Sequence, residues 1–282
     1  MAEILALVAA VLFAVAATLQ QKGALTLGLS ADSLRSFGRL AASKWWLGGS
    51  IALLVGYVVQ AIALDHGRLA IIQPLLVSTV VFALPLGYFL TAQVVRRRQI
   101  AGAVVVVFGL ALYAIFGDPA GGSENAPNGE WAIALAILAV VCGVLYAMAR
   151  RSGSARQAAL YGVVSGILFG VSACLVKPTL EALHDGGVDA VLSHWEFYGM
   201  AITGIAAFVL QQVSLAAGYL ATSVATVSVS NPIVSVVLGT LLFDERLSRP
   251  AWHVVVAVCG LALAMLGAVA ISVVRERSAT SS

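Results

Sequence analysis

An all-α, polytopic membrane bundle of about nine transmembrane helices is the fold class that three observations predict. First, 61% of the residues are hydrophobic and only 10% charged, a balance outside the range of ordinary soluble domains. Second, the apolar residues fall into runs long enough to cross a bilayer, for which about 20 residues suffice. Third, the second half of the chain repeats the first in an order that requires it to sit upside down.

The runs lie at roughly 2–21, 45–64, 70–92, 99–116, 131–149, 157–179, 198–216, 220–243 and 251–273. The first is read as a helix of the protein rather than a signal peptide, because its short flank holds Glu3 and no basic residue. Two spans are unusual. The third contains Gln73, Pro74, Ser78, Thr79 and Pro85; the eighth contains Thr226, Ser228, Ser230, Asn231 and Pro232. Polar side chains are costly in hydrocarbon and proline withdraws a backbone donor, so both spans are expected to face protein or water. Between the spans, residues 33–41 read as a short helix on the membrane surface or a solvated loop. Residues 117–129 read as a linker rich in helix breakers, and 177–197 as an acidic loop.

Alternate loops, counted for Lys and Arg, hold 12 against 4. Positive charge stays in the cytoplasm, which predicts an external N-terminus and a cytoplasmic C-terminus in the plasma membrane. The cysteines Cys142, Cys174 and Cys259 lie in apolar runs without metal or disulfide spacing. The four histidines are scattered too. No metal site, no cofactor and no nucleic-acid partner is implied, and no catalytic constellation points to an enzyme.

The repeat is visible residue by residue. Leu12, Phe13, Val15, Ala17 and Leu19 answer to Leu168, Phe169, Val171, Ala173 and Leu175; Gln60, Ser78, Leu86 and Gly87 answer to Gln212, Ser230, Leu238 and Gly239. Val107, Gly109, Leu110 and Ala111 answer to Val258, Gly260, Leu261 and Ala262. Gly162, Gly166 and Gly170 form a small-residue face matched by Ala6, Ala10 and Ala14, of the kind that lets helices approach closely in lipid. Gly102 with Gly109, and Gly260 with Gly267, offer the same role in the last helix of each half. Five helices separate each span from its mate, so the halves run antiparallel, a recurring plan of secondary transporters. The predicted organisation is a four-helix repeat over 1–116, a linker and connecting helix over 117–156, an inverted repeat over 157–273 and a cytoplasmic tail over 274–282.

The proline-bearing polar helix, the cluster FDERLSRP and the glycine-marked last helix VVVAVCGLALAMLG resemble the EamA-type repeat of the drug/metabolite transporter superfamily. The nine-helix count and GRLAIIQPLLVSTVVFALPLG are similar to its NIPA magnesium-transporter branch. The resemblance implies a central cavity formed by both repeats and lined by helices 1, 3, 6 and 8. The candidate cavity residues are Gln20, Gln73, Ser78, Thr79, Lys177, Thr226, Ser230 and Asn231. Each has a plainer reading: hydroxyls bond back to their own helix, glutamines bond between helices, and Lys177 closes helix 6 and snorkels to water. Carboxylates, which magnesium sites usually employ, fall only at the edges of the spans, as Glu3, Asp65 and Asp244 do. The expected function is therefore alternating-access transport of a small solute in the bilayer. A divalent-cation transporter and a non-transporting scaffold are the alternatives, and a homodimer is left open.

Overall fold

The computed structural model describes residues 1–27, 43–91, 95–116, 119–121, 126–217, 219–243, 245–247 and 250–272. These form nine helical rods, of which eight are long and apolar enough to cross a membrane. The protein is a multi-pass membrane helical bundle. The rods are α1 (Ala2–Thr26), α2 (Lys44–His66), α3 (Leu69–Thr91), α4 (Arg97–Phe116), α5 (Asn128–Arg150), α6 (Ser154–Ser193), α7 (Trp195–Ala216), α8 (Leu220–Leu242) and α9 (Ala251–Ser272). The surface helix expected at 33–41 lies outside the described residues.

Contacts at the rod ends show that successive rods run in opposite directions. At the end where α1 starts, a methyl on Gly67 would meet Ala2, and His184 Nε2 lies 3.8 Å from Asp65. Trp195 Nε1 donates to Asn128 Oδ1 at 3.1 Å, and Trp131 packs on Phe243 at 6.0 Å. The expected linker contributes Pro119–Gly121 (β1), which pairs antiparallel with Glu245–Leu247 (β2) in a small ribbon at this end. At the opposite end Gly23 meets Trp46, Tyr146 meets Tyr161, and Ser214 Oγ donates to the Ala158 carbonyl at 2.7 Å. Each of α1 to α4 therefore runs antiparallel to the helix five places on, and α5 stands between the halves.

The packing repeats as well. The alanine face of α1, with Ala9, Ala10 and Ala14 fully buried, lies against Leu76, Val77 and Val80 of α3. The matching glycine face of α6 lies against α8: a methyl on Gly166 would come within 2.8 Å of the Val227 carbonyl, and one on Gly170 within 2.8 Å of the Asn231 carbonyl. Helices α4 and α9 cross backbone to backbone, Gly102 against Gly267 and Gly109 against Gly260. Reversal of order within these pairs is what antiparallel mates require. Dispersion between closely fitted backbones, rather than a hydrophobic force, holds such pairs in lipid.

Two rods depart from straight helices. In α3, Pro74 lacks an N–H and its ring crowds the preceding turn, and the rod tightens to a 3-10 turn over Leu76–Ser78 before resuming at Thr79. In α6 the expected stop at 179 does not occur. The helix passes through Pro178 and extends to Ser193, with a kink at Gly187 (φ 65°, ψ −155°). The acidic loop expected at 177–197 is thus mostly helix, because one proline removes a single backbone donor without ending a rod that neighbours hold in place.

Candidate functional site

A cavity of about 720 Å³ lies between α1, α2 and α3 on one side and α6, α7 and α8 on the other. Corresponding positions of the two halves line it together: Phe13 and Phe169, Ala17 and Ala173, Leu76 and Ser228, Thr79 and Asn231. The rings of Phe13, Tyr57 and Phe169 run in a line through the wall at centroid spacings of 5.2 and 5.7 Å, so one aromatic layer belongs to both halves. No described lining residue carries a charge. The wall is aliphatic and aromatic, set with a few neutral hydrogen-bonding groups.

The polar groups divide into two sets. Ser50, Ser172 and Thr179 spend their hydroxyls on backbone carbonyls of Trp46, Met200 and Leu175, at 2.9, 3.0 and 2.7 Å. Gln211 is 9% exposed on this wall, and its Oε1 has no hydrogen-bond partner. Asn231 also stands on this wall, and its Oδ1 accepts from Ser235 Oγ at 3.3 Å.

Of the eight residues expected to line the cavity, Thr79 and Asn231 do so. The others lie off its wall. Ser78 and Thr226 take the plainer role, donating to Leu75 and Thr222 carbonyls at 2.7 and 2.8 Å. Thr226 also fills the notch left by Gly162, and Ser230 sits against Gly166. Gln73 is fully buried in α3, with neither side-chain polar atom partnered. Lys177 does not close a helix; it sits within α6, its ammonium 5.9 Å from the Phe243 ring. Gln20 belongs to a bridge between the halves: Trp46 Nε1 donates to Gln212 Oε1, and Gln212 Nε2 donates to Gln20 Oε1, each at 2.9 Å. Glu196, expected in an external loop, instead occupies the first turn of α7 and is 4% exposed.

Helices 1, 3, 6 and 8 were expected as the lining, yet α2 and α7 supply much of it. Trp46, Ser50, Leu53, Tyr57 and Gln60 follow helical spacing along one face of α2. That stripe is legible once one asks which face of the second span carries the tyrosine and the glutamine. Among the described residues, no group of three or more His, Cys, Asp or Glu side chains converges to hold a metal ion.

Fold and cavity together define a polytopic membrane bundle with an uncharged internal chamber. The chain is similar to an uncharacterized protein of Corynebacterium glutamicum, 29% identical over 243 residues that cover 85% of this chain and 84% of that protein. No family model and no solved structure matches it.

Proposed function

We propose that this protein is a secondary transporter of the drug/metabolite type, carrying a small solute across the membrane by alternating access. The observation that supports this reading is the shared chamber: Thr79 and Asn231, equivalent positions of α3 and α8, face it from opposite halves. Its volume lies in the range of about 300–1,000 Å³ typical of small-molecule sites. The halves 1–116 and 157–273 are the moving bodies, and α5 is the connector that reverses orientation. In this reading the N-terminus is external and the C-terminus cytoplasmic, so the Trp46–Gln212–Gln20 bridge is the inner closure. Breaking two hydrogen bonds between halves then opens the chamber to the cytoplasm, while the apolar cluster that joins Ala2, Leu64 and Ile72 to Trp131, Leu175 and Phe243 closes on the external side. A wall of neutral groups favours a solute without net charge over a divalent cation, which binds oxygen ligands rich in carboxylate.

Cysteine accessibility tests the mechanism before a substrate is known. With Cys142, Cys174 and Cys259 replaced by Ala, T79C and N231C are exposed to a membrane-impermeant thiosulfonate in right-side-out and inside-out vesicles. Labelling of both positions from both sides is expected. Labelling confined to one side, or none, refutes alternating access. A thermal-shift screen of amino acids, amines, nucleosides, sugars and divalent ions then seeks the solute, since a ligand of the folded state stabilises it. Absence of any stabilising solute favours the scaffold alternative.

A further inference from the structure

The chamber has a side that faces the membrane. Leu54 and Val58 of α2 and Ile205 of α7 line it, yet these side chains are 65%, 59% and 65% exposed on the outside of the bundle. Apolar side chains so exposed in the middle of spanning helices meet lipid chains. Helices α2 and α7 meet at Trp46, whose ring lies tilted against Phe208 at 6.1 Å and bonds to Gln212, and their backbones do not run side by side beyond it. Leu54 and Val58 stand eight and twelve residues beyond Trp46, about 12 and 18 Å along the helix at 1.5 Å per residue. That depth falls inside a hydrocarbon layer about 30 Å thick. The gap between α2 and α7 is therefore a window at the level of the acyl chains.

We propose that this window is the port through which the chamber exchanges its occupant with the bilayer, and that the occupant is a net-neutral amphipath with an apolar body and a hydrogen-bonding head. The wall matches that chemistry. Phe13, Tyr57 and Phe169 offer ring faces to an apolar body, and no charge in the described wall would be stranded against it. Gln60, Thr79, Ser228 and Asn231 set neutral hydrogen-bonding groups into the same wall for such a head. A bilayer-dissolved solute also reaches this port already stripped of water over its apolar part. The port deepens the transport reading in naming the solute class, but its existence is tested independently.

The probe is a neutral aryl diazirine dissolved in phosphatidylcholine vesicles containing the reconstituted protein, photolysed with glutathione in the water to scavenge aqueous carbene. Mass spectrometry of peptides then locates the adducts. Adducts on Tyr57 and Phe169, inside the chamber, are expected. V58W and I205W enlarge the two lips and should each lower those adducts several-fold, whereas I202W, on the exposed face of α7 away from the chamber, should not. Retention of adducts on the outer face of α2, at Ile51, shows that the variants are folded and inserted. Absence of adducts at Tyr57 and Phe169, or equal loss in all three variants, overturns the port. Because T79C and N231C are read from the aqueous phases, two-sided cysteine labelling without wall adducts leaves transport standing and removes the port. The reverse result removes alternating access and leaves the port.

Discussion

G109A probes a backbone-to-backbone contact between α4 and α9. A methyl at Gly109 would meet the Gly260 carbonyl oxygen, with the Ala264 nitrogen at 2.5 Å and its Cα at 3.0 Å, all of them backbone atoms that no rotamer change can move. Relief requires α4 and α9 to separate by about 1 Å, and overpacking of this sort costs roughly 1–3 kcal/mol. Alanine returns up to about 1 kcal/mol through its better helix propensity. A net loss of about 1–2 kcal/mol is therefore expected, because parting two backbones also weakens dispersion along the whole seam. The assay is an SDS unfolding titration of purified protein, with G143A as the reference. Gly143 sits on α5 with nothing within 4 Å of a new methyl, so that variant should be neutral or slightly stabilised. G109A/G260A should lose less than the sum of its singles, since the first methyl has already parted the helices. Equal stability of G109A and G143A would refute the backbone-to-backbone seam.

Two further variants address other joints. Q212L removes the centre of the bridge and strands Trp46 Nε1 and the Gln20 acceptor; a loss of about 1–3 kcal/mol is expected in the same titration, and Q20L/Q212L should lose less than the sum of its singles. G187A places a side chain at φ 65°, ψ −155°, a region essentially reserved for glycine, at a cost of order 1–3 kcal/mol. No atom lies within 4 Å of the new methyl, so the cost is backbone strain alone. Faster amide exchange over 188–193 is the expected readout, and unchanged exchange would show that the kink does not depend on that angle.

The span positions were legible because bilayer thickness sets a common minimum length for spanning helices, and eight of the nine expected runs agree with the rods to within about five residues at either end, α6 being the exception. The pairing of small faces was legible too. Ala10 with Gly166, and Gly109 with Gly260, are matched by position and meet neighbours as the repeat requires. The candidate site was only partly readable. Thr79 and Asn231 were visible as polar residues in proline-bearing spans, but so were Ser78 and Thr226, which bond to their own helices instead. Nothing local separates a hydroxyl turned to a chamber from one turned to a carbonyl three or four residues back. Tyr57 and Gln60 stand one turn apart on α2 in a span that otherwise reads as ordinary apolar helix, and their common face became a wall only through its neighbours.

The sequence alone determined where the long apolar helices fall, which residues take matching places in the two halves, and that one half inverts the other, because hydrophobic length and the parity of the helix count are properties of the chain. Tertiary structure alone decided the rotation of each rod about its axis, and with it the chamber, the Trp46–Gln212–Gln20 bridge and the gap between α2 and α7. In lipid, water does not drive apolar faces inward, so which face a helix turns to its neighbours is set by close backbone fit and by hydrogen bonds made across the bundle.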